Sequence, residues 1–192
     1  MKVIFLDNDG VICLNNNYGG RTRKWSEWLR TYPESELPSD APVHYRFDDF
    51  DKKAIKVLNR ILDQTGAEIV VSSDWRKYAT LEELGDYYIE QGIRKRPIDV
   101  TKFIENCDVP DGFPWHIMMR YEQSRACEIK QYLNDHPEIT HWVAIDDLDM
   151  GIYPNMSDTT PIWGLPNFVR CLSLNEGIKR QGLEKQIISF LK

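Results

Sequence analysis

The sequence predicts an α/β fold in which a Rossmann-like parallel sheet is flanked by helices. Short apolar runs of strand length alternate with segments of helical periodicity along the 192 residues. The runs are continuously apolar, which is typical of parallel strands that are buried on both faces. Three of them end abruptly in polar residues, as expected where a buried strand meets a functional loop.

Four short strands are predicted, at residues 3–6, 68–71, 141–145 and 168–172. The helix predicted at 50–64 carries apolar residues at helical spacing. We expect Asp48 or Asp49 to cap its start and Gly66 to follow its end. Further helices are predicted at 25–32, from the capping box at 80–83 to Gly92, at 121–134 and at 183–191.

We expect a single domain over residues 1–192, interrupted by short insertions at about 15–49 and 77–120. The first insertion contains clusters of Asn, Gly and Pro, and the second includes the irregular stretch 93–120. Because both insertions are short, they predict a small or minimal cap over the strand ends.

Composition narrows the possible functions. The net charge is −6, from 24 basic and 30 acidic residues, and it disfavours broad non-specific binding to nucleic acid. The four cysteines, at positions 13, 107, 127 and 171, show no zinc or CxxC spacing, and we expect reduced thiols. No apolar run has the length of a signal peptide or a membrane span. These features predict a cytoplasmic protein with no membrane contact and no obligate protein partner.

The polar residues at the strand ends are the strongest functional signal. The first strand is followed by Asp7 and Asp9, the second by Ser72, and the third by Asp146 and Asp147. The carboxyl ends of parallel strands meet at one edge of a sheet, where ligands bind. We therefore expect these side chains to converge, although up to 140 residues separate them in sequence.

Four converging carboxylates raise each other's pKa unless a cation neutralises them. Hard oxygen ligands suit Mg²⁺, which binds carboxylates together with substrate phosphate. A carboxylate can also act as a nucleophile toward phosphorus. The hydroxyl of Ser72, with Ser73 beside it, and a cation such as Arg125 are suited to hold phosphoryl oxygens.

These residues carry a family resemblance. The run VIFLDNDGV at residues 3–11 resembles the first motif of the haloacid dehalogenase (HAD) superfamily, hhhhDxDGV. Ser72 resembles the second motif, a Ser or Thr at a strand end. The pair Asp146 and Asp147 resembles the fourth motif. More narrowly, the run TGAEIVVSSDWR at 65–76 is similar to small HAD domains fused to RNA-repair enzymes, to the phosphatase half of polynucleotide kinase-phosphatases and to small deoxynucleotidases.

The resemblance implies an Mg²⁺-dependent phosphatase with an aspartyl-phosphate intermediate on Asp7. It implies that Asp9 acts as acid and base and ligates the metal through its backbone carbonyl. Asp7, Asp146 and Asp147 would supply the other metal ligands. Asp9 also favours phosphoryl transfer over dehalogenation, because the dehalogenases of the superfamily lack this residue.

The resemblance assigns the bound phosphoryl group to Ser72, Ser73 and a cation of the third motif. Arg125 is the preferred cation, and Lys130 is the alternative. The expected substrates are phosphorylated small molecules, including nucleotides, and nucleic-acid ends. Two other functions stay open: a phospho-ligand-binding module without turnover, and a phosphotransferase.

Several other residues have simpler explanations. Trp75 is expected to pack against the sheet edge, and Arg76 supports the phosphate site or is a solvated helix residue. The run at 94–96, Arg-Lys-Arg, is typical of a solvated face. Tyr87, Tyr88 and Trp115 are suited to stack a nucleobase, but core packing is the more common use of such residues.

Overall fold

The computed structural model describes residues 1–14, 24, 30, 31, 41–104, 117–151 and 164–192. Within them, five parallel strands form one sheet in the order β3-β2-β1-β4-β5. The strands are β1 (Lys2–Leu6), β2 (Glu68–Val71), β3 (Pro97–Val100), β4 (His141–Asp146) and β5 (Phe168–Arg170). Helices flank this sheet, so the predicted α/β fold is confirmed.

The helices are α1 (Val43–Arg46), α2 (Lys52–Thr65), α3 (Leu81–Glu90), α4 (Ile117–Asp135) and α5 (Leu183–Phe190). Short 3-10 helices cover Asp74–Lys77 and Gly177–Lys179. Apart from residues 30 and 31, which are helical, the helix predicted at 25–32 lies outside the described residues. So do the parts of the two insertions outside residues 24, 30, 31, 41–104 and 117–120.

Alternate side chains of β1 pack on opposite faces of the sheet. Ile4 and Leu6 belong to the larger apolar core, which α2, α3 and α5 cover. Val3 and Phe5 belong to a second core, which α4 covers. This double burial explains why the strands read as continuous apolar runs.

The sequence failed to predict β3, which lies inside the stretch expected to be irregular. It begins at Pro97, has four residues and lies at the edge of the sheet. An edge strand tolerates proline, because one row of its backbone groups needs no partner strand. Helix α4 also begins inside that stretch, at residue 117.

Helix α2 is capped by Asp51 rather than by Asp48 or Asp49. The Asp51 carboxylate accepts hydrogen bonds from the amides of Lys53 and Ala54, at 2.9 and 2.8 Å. The helix ends at Gly66 as predicted, with a φ of 68°.

The predicted capping box of α3 is confirmed. Its first residue, Thr80, accepts a hydrogen bond from the Glu83 amide at 3.2 Å. The carboxylate of Glu83 returns the interaction by accepting from the Thr80 amide at 2.9 Å. Tyr87 and Tyr88 on this helix are buried in the core, so neither faces a ligand.

The basic run at residues 94–96 lies just before β3, at the opposite end of the sheet from the polar strand ends. Its three side chains form ion pairs with Asp63, Glu68 and Asp86. A solvated, charge-paired face is therefore confirmed for this run.

Cys13 and Cys171 are buried free thiols, whereas Cys127 is disulfide-bonded, so the expectation of reduced cysteines is wrong for Cys127.

Among the described residues, no helix has the length and apolar character needed to cross a membrane.

Candidate active site

The polar strand ends converge at the carboxyl edge of the sheet. The amide of Asp7 donates a hydrogen bond of 3.0 Å to the carbonyl of Ile145, the next-to-last residue of β4. The amide of Ser72 donates at 2.9 Å to the carbonyl of Leu6, the last residue of β1. The parallel ladder therefore continues one residue past β1 and β2, which aligns both residues with the end of β4.

Three carboxylates form a compact cluster there. One oxygen from each of Asp7, Asp146 and Asp147 lies within 4.8 Å of the other two. Asp7 and Asp146 are buried, and Asp147 is partly exposed. The backbone amide of Leu148 donates a hydrogen bond of 2.9 Å to Oδ1 of Asp146 and holds that carboxylate in place.

Burial makes the negative charge of this cluster costly. It raises the pKa of Asp7 to about 6, against the opposing effect of the Arg125 cation and with a further increase from Asp9. Burial, and then the charge of Asp7, raise the pKa of Asp146 well above its ordinary value. A bound cation relieves this repulsion, and three oxygen donors with no nitrogen or sulfur suit a hard ion such as Mg²⁺.

Arg125 on α4 connects the strand ends. Its Nη1 donates to Oδ1 of Asp7 at 3.2 Å, to Oδ2 of Asp146 at 3.0 Å and to the Ser72 carbonyl. Its Nη2 donates to Asp74 at 3.3 Å. Burial lowers the pKa of Arg125, but the surrounding carboxylates outweigh it and raise the pKa, so the side chain stays charged. A permanent cation thus faces Asp7.

The Ser73 hydroxyl lies close enough to Asp7 to lower the pKa of that carboxyl. The Ser72 hydroxyl has no hydrogen-bond partner among the described residues, although Ser72 is buried. The side-chain amide nitrogen of Asn8, Nδ2, is also buried and has no hydrogen-bond partner among the described residues. Leaving a buried polar group unpaired costs about 1–3 kcal/mol, so native proteins rarely do it without a reason. A ligand rich in acceptor oxygens would supply the missing partners.

Comparison with known proteins identifies the family. Residues 3–179 match the family described as the HAD domain in Swiss Army Knife RNA repair proteins. The chain belongs to this family. HAD domains are generally phosphohydrolases, and the buried cluster of Asp7, Asp146 and Asp147 is consistent with the active site of such a domain. No curated protein and no solved structure matches the chain.

The loop that follows β1 in this HAD domain is tightly wound. The carbonyl oxygen of Asn8 accepts hydrogen bonds from the amides of Val11, Ile12 and Cys13, at 2.8 to 3.3 Å. Tyr88 donates its hydroxyl to the Asn8 side chain at 2.5 Å. The loop therefore holds the two aspartates that flank Asn8 in fixed positions.

Gly10 is required in this loop for two reasons. Its φ of 74° lies in the left-handed region, which L residues other than glycine rarely adopt. A Cβ at this position would also lie 2.7 Å from Cγ of Asp147. Gly10 therefore lets Asp147 approach the first loop and join the cluster.

Asp9 has a partner that the sequence did not predict. The indole Nε1 of Trp75 donates a hydrogen bond of 2.9 Å to Oδ2 of Asp9. Trp75 is buried, and its ring stacks on Phe47 and Phe50, with centroids 4.1 and 5.4 Å away. The expected packing role of Trp75 is confirmed, but the same ring also contacts the HAD site.

Arg76 forms a buried ion pair with Glu128 of α4, and these side chains are 2% and 4% exposed. Burial lowers the pKa of Arg76 and raises that of Glu128. Arg76 also donates to the carbonyl of Ser73 at 3.1 Å. Of the two uses expected for Arg76, support of the site is the one that these contacts favour.

Lys130 follows Arg125 by five residues on α4, which is about 140° around a helix. The two side chains therefore leave the helix in different directions. Burial lowers the pKa of Lys130. The contacts described above connect Arg125, rather than Lys130, to the carboxylates.

Arg170 at the end of β5 is a further site neighbour that the sequence did not predict. Its Nε donates to the carbonyl of Asp147 at 3.2 Å, and its Nη1 pairs with Asp149 at 2.5 Å. The Asp149 amide donates in turn to Glu122 of α4 at 3.0 Å. A cation in the middle of the fourth predicted strand, at 168–172, was the only available sequence signal.

Proposed function

We propose that this HAD domain is an Mg²⁺-dependent phosphomonoester hydrolase that acts through an aspartyl-phosphate on Asp7. The observation that carries the proposal is the contact of a buried, permanent cation, Arg125, with Asp7, in a site that also contains the buried hydroxyls of Ser72 and Ser73. This arrangement pairs a nucleophile with an oxyanion site, which is what phosphoryl transfer needs.

The metal fits the residues present. Asp7, Asp146 and Asp147 would hold Mg²⁺ together with the backbone carbonyl of Asp9, because all of these donors are oxygens. When bound, the ion would neutralise the cluster and the phosphate oxygens.

In the first half of the reaction, a carboxylate oxygen of Asp7 attacks phosphorus and the bond from phosphorus to the leaving oxygen breaks. Asp9 gives its proton to that oxygen. Ser72, Ser73 and Arg125 hold the equatorial oxygens, whose charge they stabilise.

In the second half, Asp9 takes a proton from a water molecule whose oxygen attacks the same phosphorus. The bond to Asp7 breaks, and inorganic phosphate leaves. Asp9 is then protonated again and Asp7 is a carboxylate, so both residues have returned to their starting states. The balance requires no other reactant.

The substrate class is proposed from the family. The family is defined in RNA repair proteins, and this favours the end phosphate of a nucleic acid or a nucleotide over an unrelated phosphorylated small molecule.

The deciding experiment compares wild type with Asp7→Asn on p-nitrophenyl phosphate and on oligonucleotides phosphorylated at the 3′ or 5′ end, with Mg²⁺ or with EDTA. We expect turnover that EDTA abolishes and that Asp7→Asn reduces by at least about a thousandfold. If wild type binds the phosphorylated oligonucleotides but never turns them over, the protein is a binding module instead. Transfer of phosphate to an added alcohol in preference to water would indicate a phosphotransferase.

A further inference from the structure

Phe103 lies at the same end of the sheet as the proposed phosphate site. The amide of Thr101, directly after β3, donates a hydrogen bond of 3.0 Å to the carbonyl of Val71, the last residue of β2. Thr101 is therefore level with Ser72, and Phe103 follows two residues later. Two strand spacings, about 10 Å, separate the end of β3 from the end of β1, where Asp7 lies.

The Phe103 side chain is partly exposed, and a buried cation supports its ring. It is a large apolar side chain with 46% exposure. The guanidinium of Arg76 lies 3.9 Å from the ring centroid. Arg76 is itself buried and held by Glu128 and by the Ser73 carbonyl. A fixed residue thus supports one face of the ring, and the opposite face is the outer face of Phe103.

A second cation lies beside the ring. The Nζ atom of Lys77 is 5.0 Å from the ring centroid. It pairs with Asp74 at 3.2 Å, but both side chains are more than 40% exposed. A solvated pair of this kind contributes little energy and exchanges readily for another anion. A cation next to an exposed aromatic ring is notable in a protein whose net charge is −6.

We propose that Phe103 and Lys77 form a subsite that binds an unpaired nucleotide of the phosphorylated nucleic-acid end. The base would stack on the outer face of Phe103, and the backbone phosphate next to it would face Lys77. Proteins that bind single strands combine these two elements, an aromatic platform and a nearby cation. The subsite rests on the proposed function, because the end phosphate is placed at Asp7.

The subsite predicts a preference for unpaired ends, but not for a particular base. Stacking needs only the flat face of a base, so the identity of the base has little effect. A base that is paired in a duplex is stacked on its neighbour and held by its partner strand, so it reaches Phe103 only at the cost of unpairing, a few kcal/mol. The domain is therefore expected to favour single-stranded or frayed ends over blunt duplex ends.

The test uses two short oligonucleotides with the same end phosphate, of which one lacks the base of the terminal nucleotide. With the intact oligonucleotide, Phe103→Ala is expected to raise KM at least about fivefold, with little change in kcat. With the abasic oligonucleotide, the variant and wild type should behave alike. Phe103→Trp should retain the binding of wild type.

Leu172→Ala is the matched control. Leu172 is 60% exposed and follows β5, at the opposite edge of the sheet, so its removal should leave both substrates unaffected. An equal change on both oligonucleotides, or no change on either, would overturn the subsite.

A binding measurement separates this inference from the proposed function. Fluorescence anisotropy gives Kd for the same two oligonucleotides without requiring turnover. If wild type hydrolyses neither oligonucleotide nor p-nitrophenyl phosphate, the proposed function fails, and the Kd ratio of wild type to Phe103→Ala still decides about the subsite. If wild type hydrolyses both oligonucleotides and their Kd is insensitive to Phe103, only the subsite fails.

Discussion

The indole nitrogen of Trp75 donates a hydrogen bond of 2.9 Å to Oδ2 of Asp9. Trp75 follows β2, and Asp9 follows β1, so this bond joins the two loops that carry the proposed nucleophile and the proposed phosphate ligands. An indole N–H can donate a hydrogen bond but cannot accept one. Oδ2 is therefore the accepting oxygen, and the ring sets the orientation of the carboxylate.

We predict that Trp75→Phe impairs proton transfer rather than phosphate binding. The variant keeps an aromatic ring on Phe47 but loses the donor to Asp9, and a misplaced catalytic group costs up to about a hundredfold in rate. The loss in kcat should be large for glycerol phosphate, whose alkoxide leaving group needs a proton. It should be small for p-nitrophenyl phosphate, whose leaving group departs as a stable anion.

Phe50→Leu is the control for that prediction. It disturbs the aromatic stack on Trp75 but keeps the indole donor. We expect equal effects on the two substrates for this variant. Equal effects for Trp75→Phe would show that Trp75 acts only through packing.

A second prediction concerns Gly10. Replacing it with alanine places a Cβ against the carboxylate of Asp147 and forces a positive φ on a residue with a side chain. The conformation alone should cost about 1–2 kcal/mol of unfolding free energy. The displaced Asp147 should in addition abolish the rise in Tm that Mg²⁺ causes in wild type.

Gly66→Ala separates the two effects. Gly66 has a φ of 68°, and a Cβ there would meet no atom within 4 Å. This variant should lose a similar amount of stability but retain both turnover and the Mg²⁺-dependent rise in Tm. Thermal unfolding with and without Mg²⁺ measures both quantities. A normal response to Mg²⁺ in Gly10→Ala would exclude Asp147 as the group affected.

A third prediction follows from the buried carboxylate of Asp7. Its pKa rises from 3.8 to about 6 in the folded protein, mainly through burial. The native state therefore holds this proton more tightly than the unfolded chain. The resulting stabilisation is complete below about pH 4 and is lost as the pH rises through 6. In EDTA, the free energy of unfolding of wild type should fall by about 3 kcal/mol as Asp7 loses its proton between about pH 4 and above pH 6.

Asp7→Asn isolates the effect, because asparagine does not titrate. Urea unfolding at pH 4 and pH 7 measures the free energy of unfolding of both proteins. The value for wild type minus the value for Asp7→Asn should be more negative at pH 7 than at pH 4. Saturating Mg²⁺ should reduce this difference, since the ion competes with the proton for the carboxylate. A difference that does not depend on pH would mean that Arg125 compensates the charge of Asp7 fully.

The sequence was sufficient for those parts of the fold and site that depend on buried strands. The positions of Asp7, Ser72 and Asp146 follow from continuous apolar runs, because such runs identify buried strands and show where each strand ends. The edge strand β3 escaped prediction because its sequence, Pro-Ile-Asp-Val, contains a proline and an aspartate instead of a continuous apolar run.

Features that depend on packing between distant segments could not be predicted from the sequence. Asp51 caps α2 because the helix begins at Lys52. Asp51 directly follows Phe50, whose amide donates to the side chain of Gln91 at 2.9 Å. Neighbouring Asp48 and Asp49 have the same chemistry, so sequence could not separate them. Similarly, the contact of Trp75 with Asp9 depends on how the aromatic side chains stack between loops.

A last prediction concerns the ion pair of Arg76 with Glu128. Both side chains are almost fully buried, so Glu128→Gln leaves the Arg76 charge without a countercharge. Breaking a buried pair in this way costs about 3–5 kcal/mol of unfolding free energy. The exposed pair of Arg60 with Glu184 provides the matched control, and Glu184→Gln should cost less than about 1 kcal/mol. Urea unfolding of the two variants measures the difference. Comparable losses would contradict the burial of Arg76, and with it the rigid support that Arg76 gives to Phe103.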